Sequence, residues 1–156
     1  IEETTTALGT GDMGQAIFYI KFTVTAFDDD IYIPMNVAEK GTATTADGFV
    51  YELNPSNVTK DKVTLSATIS RGGNISKVGN YYQISNGSSG SFTLKVTAIA
   101  NAPSLNGSAT VKMDTIRWTT DDPLEKSSPS LNEYNYFDAD EWETEPASIK
   151  SGPSAS

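Results

Sequence analysis

From Ala16 to Phe27 the chain alternates apolar and polar positions. Phe18, Ile20, Phe22, Val24 and Ala26 fall in one phase, and Tyr19, Lys21, Thr23 and Thr25 in the other. Side chains of a strand alternate between faces, so this pattern predicts one long strand with a buried and a wetter side. The same period recurs downstream. Val63, Leu65, Ala67 and Ile69 alternate with Thr64, Ser66, Thr68 and Ser70, the most regular two-period run in the chain. Phe92, Leu94, Val96 and Ala98 alternate with Thr93, Lys95 and Thr97.

Shorter strands are expected at Ile31–Ile33, ended by Pro34, at Phe49–Leu53, closed by Asn54-Pro55, and at Tyr81–Ser85. Met35 to Gly48 reads as a long loop, Arg71 to Asn74 as a turn, and Asn86 to Gly90 as a second turn rich in residues that tolerate positive φ. Between Ala109 and Trp118 the phase changes: Val111 and Met113 set one face, Ile116 and Trp118 the other. A one-residue bulge at Asp114 or Thr115 would turn both halves toward a single core. The aromatic segment at 134–137 is the expected last strand.

About eight short strands separated by turn signals predict an all-β, Ig-like antiparallel two-sheet β-sandwich, with Greek-key or jelly-roll variants matching the same pattern. The boundaries expected are a Gly-rich N-terminal arm over 1–15, the sandwich over 16–142 and a polar, Ser/Pro-rich tail over 143–156. The arm has two readings: a flexible terminus, or a segment that adds a strand to a neighbouring subunit. Gly9, Gly11 and Gly14 spell GxGxxG. A dinucleotide loop follows a strand and opens a helix, whereas this one precedes a strand.

Composition agrees with that class. Ser and Thr make nearly a quarter of the 156 residues, as exposed strand faces and turns require. Eleven Lys and Arg against 20 Asp and Glu leave a net charge of −9, which disfavours nucleic acid and anionic membrane surfaces as partners. The run AIFYI is far too short for a membrane span. The chain begins at Ile1, as a processed secreted product or an excised fragment would.

The chain contains no Cys and no His, so it holds no disulfide, Ser-His-Asp triad, Cys-His pair or ordinary zinc site. Paired carboxylates remain as the one route to acid catalysis, but among 20 some pair is always close, and the chain is read as non-enzymatic. No cofactor motif is present. Calcium is the candidate cation, with Asp28, Asp29 and Asp30 at a strand end and Asp138, Asp140, Glu141 and Glu143 near the C-terminus. Neither cluster has EF-hand spacing, and solvated acidic turns account for both. A lysine–carboxamide crosslink needs a buried lysine, whereas Lys21, Lys95 and Lys112 all fall in the polar phase of their strands. Four glycosylation sequons stand at Asn57, Asn74, Asn86 and Asn106. Tyr32, Tyr81, Trp118, Tyr136 and Trp142 are candidate exposed aromatics, with Trp118 and Trp142 the ones to stack on a sugar ring.

Three stretches, FTVTAFDDDIYIP, SFTLKVTAIA followed by VKMDTIRW, and YFDADEWETEPASI, together resemble Ig-like sandwich domains of bacterial secreted and cell-surface proteins. The resemblance implies an extracellular location and a role in adhesion, spacing or assembly, and brings no catalytic residues. The expected function is therefore a structural surface protein that self-associates as a filament or array through its terminal arms. The alternatives are a carbohydrate-binding or adhesive module and a passive spacer in a larger surface protein.

Overall fold

Alternation this regular forms sheets, and the strands it marks carry most of the observed core. The structure is a computed structural model that describes residues 2–8, 14–44, 46–123, 134–139 and 141–152. The fold is all-β, with one short 3-10 turn at Lys60–Lys62 among the described residues.

The first sheet, A, has the order β1-β2-β9-β6 and is antiparallel throughout. Its strands are β1 (Glu2–Leu8), β2 (Gln15–Thr25), β6 (Val63–Gly73) and β9 (Ser89–Ala100). The second sheet, C, runs β11-β10-β5-β4, from β4 (Asn36–Glu39), β5 (Asp47–Ser56), β10 (Asn106–Trp118) and β11 (Asn135–Asp138). Strand β12 (Ala147–Lys150) pairs with the first residues of β10, along the side on which β11 pairs with its last. A three-stranded sheet, B, joins β3 (Ile31–Pro34), β8 (Tyr81–Ile84) and β7 (Ile75–Val78), and a bridge from Tyr32 to Thr119 ties it to the end of β10.

One apolar cluster lies between sheets A and C, an arrangement compatible with a β-sandwich. Phe18, Ile20 and Phe22 from β2 and Phe92, Leu94 and Val96 from β9 meet Phe49 and Leu53 from β5, Val111 and Met113 from β10, and Ile149 from β12. Phe22, Phe49, Tyr82 and Phe92 pack together with ring centroids 5.1–6.3 Å apart, Phe22 and Phe92 stacked and the other pairs tilted or edge-on.

Several expectations change in the structure. Among the described residues strands run to β12 rather than about eight, because short ones hide where alternation has little length to show itself. The stretch expected as a loop contains β4, which pairs with β5 in parallel and so gives no hairpin signal. Strand β5 continues through Pro55. The Lys40 N–H donates to Tyr51 O, so Leu53 and Pro55 turn their backbone groups to that same side, beyond the end of β4, where a missing N–H costs no ladder bond. Arg71 to Gly73 extend β6 instead of turning, and the left-handed Gly73 (φ 75°) begins the reversal. The run Val63–Ile69 is only half-buried past Val63, because β6 is the edge of its sheet.

Both terminal segments carry strands. Glu2–Leu8, inside the expected arm, is β1 and pairs with β2 of the same chain. Ala147–Lys150, inside the expected tail, is β12, and Ile149 is fully buried. The GxGxxG glycines Gly9 and Gly11 lie outside the described residues.

Candidate functional site

The phase change in β10 is a β-bulge. Met113 stands opposite Tyr51 and Thr115 opposite Val50, so Asp114 is the extra residue. Beyond it, Ile116 is buried and Trp118 half-buried, whereas strict alternation from Met113 would have turned both away from the core. The bulge is also tethered. Its carbonyl accepts from the Ala139 N–H, and its carboxylate meets Lys40 Nζ at 3.3 Å and accepts from the Thr115 hydroxyl at 2.9 Å. Asp114 and Glu52 together raise the Lys40 pKa.

This turn of β10 builds a cavity of about 270 Å³. Its walls are Val24, Ile31, Ile33, Ile116, Trp118, Phe137 and Trp142, with Thr23 and Thr25 the two hydroxyl residues. Trp142 is positioned by its backbone: the Met113 N–H donates to its carbonyl and its own N–H donates to Ala139 O. Its indole packs against Phe22 and Phe137, with centroids 5.3 and 5.4 Å away. Phe137 stands opposite Ile116 on β11 and remains 47% exposed, at the open side of the site. The two tryptophans singled out by sequence therefore share one cavity. Its lining carries no carboxylate or amide, so its recognition chemistry is apolar contact and ring stacking. At 270 Å³ it is slightly smaller than ordinary small-molecule pockets of ~300–1,000 Å³.

Of the other aromatics expected to be exposed, Tyr136 is, and Tyr32 and Tyr81 are not. Tyr32 and Tyr81 are buried with Tyr134 in a second cluster, where the Tyr81 and Tyr134 hydroxyls are 2.8 Å apart. Burial, then the bond to Tyr81, pushes the Tyr134 hydroxyl well above the usual tyrosine range. Tyr136 is exposed, beneath the Arg117 guanidinium at 5.8 Å. Neither this cluster nor Phe137 was visible as a site in sequence. Alternation within Ile31–Ile33 assigns Tyr32 outward and has no means of showing that another element covers it.

The acidic candidates separate. Asp30 holds the next turn, accepting from the Asn86 N–H at 2.8 Å and from Gln83 Nε2 at 3.3 Å. Asp28, at φ 74°, and Asp29 are exposed. Asp138 is exposed on β11, and Asp140 lies outside the described residues. No group of three acidic residues placed to hold a metal ion occurs among the described residues. Asn57, Asn74, Asn86 and Asn106 are all exposed, the last as the first residue of β10. Lys21 and Lys95 are exposed and Lys112 half-exposed.

No helix among the described residues is long and apolar enough to cross a membrane. No family model, curated protein or solved structure matches the chain.

Proposed function

We propose that this chain is a non-enzymatic structural module, an Ig-like β-sandwich in the broad sense, that acts outside the cell and self-associates through its N-terminal strand. The observation that carries this reading is the place of β1. It is an edge strand whose single strand partner among the described residues is β2, and residues 9–14 separate it from the body of the sheet. Edge strands offer unpaired N–H and C=O groups to other chains, so β1 is an element to which another copy can add a strand. The non-enzymatic part rests on the lack of His and Cys in the chain. The extracellular part rests on the resemblance to surface sandwiches and on four exposed sequon asparagines.

Deleting residues 1–8 tests the reading. The full chain is expected to sediment as polymer and the truncated chain as a folded monomer. Identical assemblies from both would end the proposal.

A second reading, a carbohydrate-binding or adhesive module, is favoured by the meeting of Trp118 and Trp142 at one cavity. A glycan array read with the Trp118→Ala and Trp142→Ala variants tests it, with thermal unfolding as the folding control. Unchanged binding in both removes these residues from the reading.

A further inference from the structure

The hydrogen-bond phase of sheet A can be followed from two contacts at one end. The Asn101 N–H donates to Lys62 O and the Ala100 N–H to Gly14 O, both at 2.9 Å. These pairs continue the registers Val63↔Ala100 and Gln15↔Ile99. In an antiparallel ladder, hydrogen-bonded pairs alternate with non-hydrogen-bonded ones. Thr64, Ser66, Thr68 and Ser70 therefore turn their backbone groups toward β9, and Leu65, Ala67 and Ile69 turn theirs to the outer edge. By the same count, even-numbered residues of β2 face β9 and odd-numbered ones face β1. Their β1 partners are Glu2, Thr4, Thr6 and Leu8, which leaves Glu3, Thr5 and Ala7 with outward backbone groups.

These two outward sets lie in the same rows of the sheet. Glu3 shares a row with Ile20, Leu94 and Ile69, Thr5 with Phe18, Val96 and Ala67, and Ala7 with Ala16, Ala98 and Leu65. Four antiparallel strands also leave β1 and β6 running in opposite directions. A second copy displaced by four strand spacings, ~19 Å, thus brings its β1 antiparallel to β6 with no shift along the strands.

We propose that β6 is an acceptor edge and that its occupant is β1 of a second copy, with Glu3, Thr5 and Ala7 paired to Ile69, Ala67 and Leu65. The proposal rests on the self-association reading above and supplies the surface it needs. From Val63 to Ser70 the edge has no charge and no proline, the devices by which natural sheets blunt an open edge. Charge is complementary at the end where β6 carries Arg71, since β1 of the second copy begins there with Glu2 and Glu3. The contact joins two different edges, so it does not close on itself and propagates head to tail. Sheet C is likewise four strands wide along its main path, and so it repeats at the same spacing.

The test uses the full chain and reads the concentration at which polymer forms, by sedimentation and electron microscopy. Ala67→Pro removes one outward N–H and no bond to β9, a position where an edge strand tolerates proline. It should stay folded by circular dichroism and raise that concentration about tenfold or more, the worth of about one hydrogen bond. Arg71→Glu should also raise it, and adding Glu3→Arg in the same chain should lower it again. This charge swap decides the matter if Ala67→Pro does not fold. Should the parent polymerise while the folded β6 variants polymerise at the parent's concentration, the acceptor edge is wrong and self-association stands. A parent that stays monomeric overturns both.

Discussion

Tyr51 shows how one residue ties the core to a measurable property. It is buried in the core on β5, where burial, then the nearby charge of Glu39, raises its hydroxyl from the ordinary 10.0 to about 12. Because the folded-state pKa is the higher one, the fold retains the proton longer than the unfolded chain does. Stability should therefore be flat below pH 10 and fall as pH rises from there toward 12. Tyr51→Phe should make that alkaline limb shallower, leaving the share carried by Tyr134, in urea unfolding followed from pH 8 to pH 11.5, and an unchanged slope would contradict the assignment. Asp30 makes a different point at this scale. In sequence it is one of three adjacent carboxylates that suggest a cation, and in the structure it anchors the Asn86 turn. Composition shows that acids cluster, but the backbone N–H that one of them serves belongs to a residue 56 positions away.

Among the elements, β10 was the most informative and β1 and β12 the least. Thirteen residues of β10 are long enough for a change of phase to be seen, and Val111 and Met113 against Ile116 and Trp118 located the bulge to within one residue. Removing Asp114 takes out the extra residue, so strict alternation from Met113 should then keep Ile116 and Trp118 inward with Thr115 still opposite Val50. Tryptophan emission should stay unshifted, and the urea midpoint should fall only by the worth of the Ala139 hydrogen bond, about 1 kcal/mol. A deletion with red-shifted emission would mean that the bulge does not set the phase. In β12, by contrast, only Ala147 and Ile149 carry the period, too few to stand out within a Ser/Pro-rich segment. The thin apolar content of β1 concealed it in the same way, although Thr4-Thr5-Thr6 is a β-branched run of the kind strands favour. Regularity also misled. The alternation of Val63–Ser70 reads as a core strand, yet β6 lies at an edge, and periodicity does not reveal how many neighbours a strand has.

For the whole molecule, the all-β class followed from the sequence because long alternating strands and turn residues agree with each other. The partnership of Trp118 with Trp142 did not, since it depends on how residues 141–144 are laid along β10 by the bonds at Val111 and Met113. A net charge of −9 bears on assembly as well, because copies of an acidic chain repel one another. Polymer should therefore form more readily as ionic strength rises and the repulsion is screened.

A continuous sheet A running from copy to copy should be visible by cryo-electron microscopy of the full chain at moderate salt. Filaments should form with an axial rise of ~19 Å per copy, β1 of each copy lying beside β6 of the next. A monodisperse monomer under these conditions, or filaments in which β6 faces solvent, would contradict it.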